Sequence, residues 1–314
     1  MTIKDDNHND NVSSVSLVSS VNTDEIMPKD LTDKKCAPAV KFSSGSCIDL
    51  PILIEMAKAY NAVNDKPIKL HNRLETLNPK KYKKYLLKKI GNKYKNVCST
   101  QFCWTQQDFV KKMDSLLKEE LEKYTYRPEG PTAQFEWLNT IQLNDVMEQY
   151  TRVHDDFEFL GAVPIDFQDL PELGIADINL DDLVNKGKTK IGIIYNLDNH
   201  KQSGSHWTAG FFDLNKGYAY YFDSYGTSPG KEVRSFMRKI SKYIEDKNTN
   251  VSSTHNKTRH QYGGSECGVY SLNILTRILD AGNNLDLETI CSEKLSDEAV
   301  NKFRGIFFRN VEIK

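Results

Sequence analysis

At 314 residues, with 39% hydrophobic and 27% charged residues, the chain has room for one sizeable domain plus a smaller one and the balance of a soluble globular protein. No apolar stretch approaches the roughly 18–20 residues that span a bilayer, and the first thirty residues, with Asp5, Asp6 and Asp10, lack the basic start and apolar run of a secretory signal. A formal net charge of −1 gives no global attraction to nucleic acid, and six cysteines without dense spacing exclude a disulfide-stapled scaffold, so reduced thiols are expected.

Residues 1–45, rich in Asn, Asp, Ser and Thr and without sustained periodicity, read as a flexible tail. Residues 46–126 read as a small helical domain, whose first helix can line one side with Ile48, Leu50, Ile52, Leu53, Met56 and Tyr60. Lys80, Lys81, Lys83, Lys84, Lys88, Lys89, Lys93 and Lys95 make a basic block with no acidic residue between Glu75 and Asp108. It is either a solvated helix face or a polyanion-binding surface. Cys98 and Cys103 could be half of a zinc site, but no second Cys/His pair at ligand spacing follows, so no metal is expected.

Helical periodicity stops at Arg127-Pro128-Glu129-Gly130-Pro131, which sets the boundary of a second domain, residues 127–314. In it Asn139 to Tyr150 reads as a helix, Phe157 to Ile165 as a strand stopped by Pro164, and Lys190 to Leu197 as an apolar β-branched strand. His206 to Leu214 and Tyr218 to Asp223 form a hairpin around Asn215-Lys216-Gly217. An amphipathic helix from Glu232 to Glu245, a polar edge strand within Val251 to His260 and an apolar helix from Cys267 to Leu279 complete the order. Together they predict an α+β fold with a central helix on a mainly antiparallel sheet.

Gln261-Tyr262-Gly263-Gly264-Ser265-Glu266-Cys267-Gly268 places a cysteine where a loop enters the apolar helix, so unpaired N–H groups and the positive end of the dipole surround its sulfur. That setting suits a thiolate nucleophile, with the Gln261 amide and a backbone N–H aimed at one oxyanion. Position alone leaves an inert, buried thiol equally open. His206, starting a strand, supplies the base; His200 and His260 are its competitors in polar, loop-like sequence. Asp223 supplies the orienting carboxylate if the hairpin register permits. A loop at 213–216 sets it opposite His206, a two-residue loop at 215–216 sets the two diagonally on one face, and a three-residue loop separates them. Asp213, against the turn, is expected to cap the hairpin instead.

His206-Trp207, Tyr221-Phe222-Asp223-Ser224, and Gln261 six residues before Cys267-Gly268, in the order His, Asp, Gln, Cys, resemble the ubiquitin-like-protein protease and adenain clan. The match covers about residues 132–280. Trp137-Leu138-Asn139 is similar to the clan's segment that enters a helix, although Thr140 stands where an acidic residue is usual. Arg127-Pro128 through Trp137 and Phe159 to Phe167 look closest to core-processing proteases of large DNA viruses, of the African swine fever virus and mimivirus kind.

The resemblance implies a papain-like core with permuted order, no metal or cofactor, and cleavage of structural polyproteins after Gly-containing motifs inside the virion or in the host cytoplasm. It implies that Trp137 and Trp207 flank a narrow, substrate-binding cleft. Some relatives use Glu or Asn as the third member, which makes Asp223 the least secure of the set. Two alternatives keep the chemistry: removal of ubiquitin-like conjugates, and acetyl transfer from coenzyme A. A third reading is a non-catalytic virion protein binding nucleic acid through Lys80–Lys95.

Overall fold

A computed structural model of the chain describes residues 35–71, 78–133, 135–247, 249–282 and 286–311. The expected tail up to residue 34 lies outside that set. Residues 35–45 do not behave as a tail: Cys36 and Ala37 are buried, Ala37 N–H donates to the Thr125 carbonyl, and Cys36 bridges Tyr126.

Helix α1, Leu50–Ala62, begins with Pro51 in its first turn, where a missing N–H leaves nothing unpaired. In α2, Pro79–Tyr94, the Asn78 side chain caps Lys81 N–H, and Tyr82, Leu86 and Ile90 recur every fourth residue to face inward. These helices and α3, Ser115–Lys123, close around Leu53, Met56, Trp104, Phe109 and Val110. The same periodicity that exposes most lysines of α2 turns Lys83 inward, a correction to its place in the basic block: it is 5% exposed and donates to Ser43 Oγ and the Ser46 carbonyl. The expectation of reduced thiols is also corrected. Folding of the loops brings Cys36 to Cys47 and Cys98 to Cys103, each pair with Cα atoms 5.4 Å apart, and both are disulfides.

The breaker sequence is tied down at both ends. Arg127 Nε donates to the Cys36 carbonyl and Nη1 to the Gly305 carbonyl, while Gly130 N–H donates to Asn310. Leu31–Lys314 is one compact unit that contains both the helical cluster and the sheet that follows.

Asn139 caps α4, Thr140–Val153, in a capping box with Gln142. Strands β1 (Phe157–Pro164), β2 (Lys190–Asn196), β3 (Trp207–Asp213), β4 (Tyr218–Phe222) and β5 (Ser252–His255) form one sheet in sequence order. β2–β3 and β3–β4 are antiparallel, whereas β1–β2 and β4–β5 are parallel, so the sheet is mixed rather than mainly antiparallel. The reason lies in the connections. Residues 165–189 and helix α5, Lys231–Asp246, are long enough to carry the chain back to the starting end of the sheet. α5 buries Val233, Phe236, Ile240 and Ile244 against one face, where Ile191, Ile193, Phe212 and Tyr221 meet them. Helix α6, Cys267–Ala281, packs on β3, and α4 packs on β1.

The hairpin pairs Asp213 with Tyr218 and Ala209 with Phe222, which is the diagonal register of the sequence alternatives. Gly217, at φ +74°, makes the turn, and a Cβ there would lie 1.9 Å from the Asn250 carbonyl oxygen. Asp213 caps the turn as expected, accepting from the Asn215 and Lys216 N–H groups.

Candidate active site

Because β3 runs against β2 and β4, its first residue shares one end of the sheet with the last residues of β1, β2, β4 and β5. His206 immediately precedes β3, Asp223 immediately follows β4, Gln261 follows β5, and Cys267 is the first residue of α6. The hairpin register puts Asp223 opposite Thr208, diagonal to His206, and the carboxylate closes the gap: His206 Nε2 and Asp223 Oδ1 are 2.7 Å apart.

Asp223 is fixed by more than its partner. Its N–H donates to Asn256 Oδ1, its carbonyl accepts from Asn256 Nδ2, and Oδ1 also accepts from Tyr225 N–H. Tyr225 then stacks on the imidazole with centroids 4.5 Å apart and planes 12° from parallel. Burial disfavours a charged His206, but hydrogen bonds to Asp223 and Cys267 and the negative charge of both outweigh it, raising the pKa to about 9. With Nε2 engaged by Asp223, Nδ1 is the ring nitrogen left for the sulfur. The arrangement sets a charged imidazole beside the Cys267 sulfur, the partnership that nucleophilic cysteine chemistry uses.

Cys267 is 2% exposed at the start of a helix that no side chain caps, so the first-turn N–H groups stay available to an anion. Gly268 lets the helix approach the Trp137 segment, since a Cβ there would come within 3.0 Å of Leu138. Gln261 is fully buried; Oε1 accepts from Ser224 Oγ at 2.6 Å and Nε2 donates to the Gly263 carbonyl, which leaves the second Nε2 hydrogen to serve as an oxyanion donor. Neither competitor joins the pair. His200 bonds Asp166 in the loop after β2 and lines the groove beside the site, and His260 is buried between Phe222 and Tyr270 with Nδ1 accepting from Leu295 N–H.

Beside the site runs a groove of about 420 Å³ that contains Trp137, Leu138, Asn139, Asn196, Gly204 and Trp207. Trp137 stands 44% exposed on its rim; Trp207 is 5% exposed and donates Nε1–H to the Leu138 carbonyl. A larger cavity of about 500 Å³ lies along β5; neither it nor the groove is lined by any of the four site residues, and the groove adjoins them through Trp207, next to His206.

The sequence reading missed what supports the Cys267 loop. Asp297 accepts from the Tyr262 and Gly263 N–H groups, and Glu266 accepts from Ser265 and Asn301. Arg304, 0% exposed, donates to Asn301, to the Ser265 carbonyl and to the Glu136 carbonyl, so it joins the nucleophile loop to the tryptophan segment. An arginine within the apolar run Phe303 to Phe308 was the available signal, because such a charge is rarely buried unpaired.

Residues 186–310 match the family described as Ulp1 protease family, C-terminal catalytic domain. A thiol protease of Acanthamoeba polyphaga mimivirus is 36% identical over 275 residues, 85% of this chain and 90% of the relative. A cysteine protease of African swine fever virus is 30% identical over 131 residues, 40% of this chain and 46% of the relative. In fold, the crystal structure of an African swine fever virus protease matches with a TM-score of 0.61 at 21% identity, covering 91% of this chain and 99% of that one.

Proposed function

The chain belongs to the Ulp1 protease family and is a cysteine peptidase, and we propose that Cys267, His206, Asp223 and Gln261 carry its chemistry on Gly-containing sites of a viral structural polyprotein. The observation that carries the assignment is the 2.7 Å His206–Asp223 pair, with Cys267 near enough to help raise the pKa of the ring. The thiolate attacks the scissile carbonyl, and the oxyanion forms against the Cys267 N–H and the Gln261 amide. The imidazolium protonates the leaving amine, and water then hydrolyses the thioester.

The Trp137/Trp207 groove takes the residues before the cut. Glycine is favoured in this reading next to the scissile bond, because it leaves room beside the indoles that line the groove. In this reading the enzyme works in the virion interior or the host cytoplasm during maturation. Removal of a ubiquitin-like modifier is a second reading, favoured by African swine fever virus relatives named SUMO-1 cysteine protease. Both call for glycine before the cut, so one experiment separates them: incubate wild type and Cys267→Ala with candidate core precursors and with ubiquitin-like conjugates, and sequence the new N-termini. Cleavage of the precursors by wild type alone supports polyprotein processing; cleavage of the conjugates alone supports deconjugation.

A further inference from the structure

The two flanks of the catalytic histidine differ in chemistry. On the β1–β2 side lies the tryptophan groove, framed by Pro164, Asn196 and the loop that follows β2. On the β4–β5 side Tyr225 covers the His206 ring, and cations and aromatics continue outward from it. The Arg259 guanidinium sits 5.3 Å from the Tyr225 ring centre and 4.7 Å from that of Tyr262, and Lys294 Nζ sits 5.0 Å from the Tyr262 ring. Solvent reaches all four side chains, and Tyr262 is 63% exposed.

Among the described residues neither Arg259 nor Lys294 forms an ion pair. The nearby carboxylates are turned inward and occupied: Asp297 accepts from the Tyr262 and Gly263 N–H groups and from Tyr270 Oη, and Glu266 is buried on Ser265 and Asn301. Arg259 and Lys294 thus present two cations to solvent, while Asp297 and Glu266 keep their negative charges on the loop and its supports. A cation resting on an aromatic ring keeps a fixed position and gives up part of its hydration, which prepares it for a carboxylate arriving from solvent.

We infer that Tyr225, Arg259, Tyr262 and Lys294 form the subsite for the leaving side of the substrate, and that it selects acidic side chains in the first two residues after the cut. The inference rests on the proposed function, in which the tryptophan groove holds the residues before the cut. The chain released as amine takes its proton from His206, and the side of that ring away from the groove is the one that Tyr225 covers. Released residues thus pass over Tyr225 toward Arg259 and Lys294.

The test uses full-length enzyme and three peptides that share Gly-Gly before the cut and carry Glu-Glu, Ala-Ala or Lys-Lys after it. At about 0.05 M salt, kcat/KM is expected to favour Glu-Glu over Lys-Lys by about threefold to tenfold, with Ala-Ala between them, the range of one or two partly exposed ion pairs. About 0.5 M salt should erase most of the difference. Arg259 also donates to the Gln261 carbonyl, so the cleaner variant is Lys294→Glu, at a side chain that rests on Tyr262; it should lower the Glu-Glu rate and raise the Lys-Lys rate, each relative to Ala-Ala cleaved by the same variant. Equal rates for the three peptides, or a Lys-Lys preference, would overturn the subsite while leaving the peptidase intact. If none of the three is cut by an enzyme that processes its protein substrate, the glycine reading of the groove fails first and the inference with it.

Discussion

Among the described residues two histidine–aspartate pairs have nearly equal lengths, both shorter than the 3.6 Å His154–Asp280 contact, and they differ in their surroundings. His200 Nδ1 meets Asp166 Oδ2 at 2.6 Å in an exposed loop, and His206 Nε2 meets Asp223 Oδ1 at 2.7 Å at the end of the sheet. The first pair carries no stacked ring and no thiol partner among the described residues, and water competes for each bond. The second has an asparagine bracket on the carboxylate residue, a tyrosine on the imidazole and a cysteine beside the ring that helps to raise its pKa. Hydrogen-bond length therefore does not distinguish the proposed catalytic pair from a loop tie. What does so is burial that makes the remaining bonds count, together with a third group, the Cys267 thiol, beside the ring.

The strongest way to break this contrast is to remove a member of the inner pair's chemistry. Cys267→Ala should abolish peptide cleavage with an unchanged circular dichroism spectrum, and His206→Ala should come close to it. Activity of Cys267→Ala equal to wild type would end the assignment. Gln261→Ala should lower kcat by roughly 10²–10³, the usual loss for one oxyanion donor, and a change confined to KM would move Gln261 into substrate binding.

Asp223→Ala should cost less than His206→Ala, because Tyr225 still covers the ring. Burial would then act on His206 with only the Cys267 part of its counterweight left, so the ring should become neutral at lower pH and activity at pH 7 should fall. Asp166→Ala and His200→Ala should change kcat by less than about twofold, and any effect of His200→Ala should appear in KM, because His200 lines the groove without bonding His206 or Asp223. A larger fall in kcat from either would mean that the outer pair belongs to the site.

The inner pair was legible in the sequence for local reasons. β-Branched and aromatic runs marked the strands, Asn215-Lys216-Gly217 marked their turn, and Cys267 stood where a glycine-rich loop meets an apolar helix. Several features were illegible because they depend on distant chain segments. Arg304 reaches Ser265 and Glu136 across 39 and 168 residues, and the stacking of Tyr225 on His206 follows from the hairpin register. The parallel edge pairings depend on crossovers whose return direction periodicity does not encode. Cysteine count argued for free thiols, whereas loop closure brought two pairs together. Lys83 belonged by composition to the basic block, and only the four-residue repeat of Tyr82, Leu86 and Ile90 shows which side of α2 is buried.

Everything assigned to the inner pair depends on His206 staying charged at neutral pH, its proton held by Asp223 and Cys267 against the cost of burial. Its folded pKa, about 9, lies above the ordinary 6.5, so the pair stabilises the fold fully below about pH 6.5 and loses that contribution as pH rises through 9. Nitrogen NMR of the histidine rings in wild-type protein, with the His206→Ala spectrum assigning the resonance, reads that proton directly. The expected result is an imidazolium signal for His206 at pH 7 that titrates near 9. A neutral ring at pH 7, titrating near the ordinary histidine value, would contradict it.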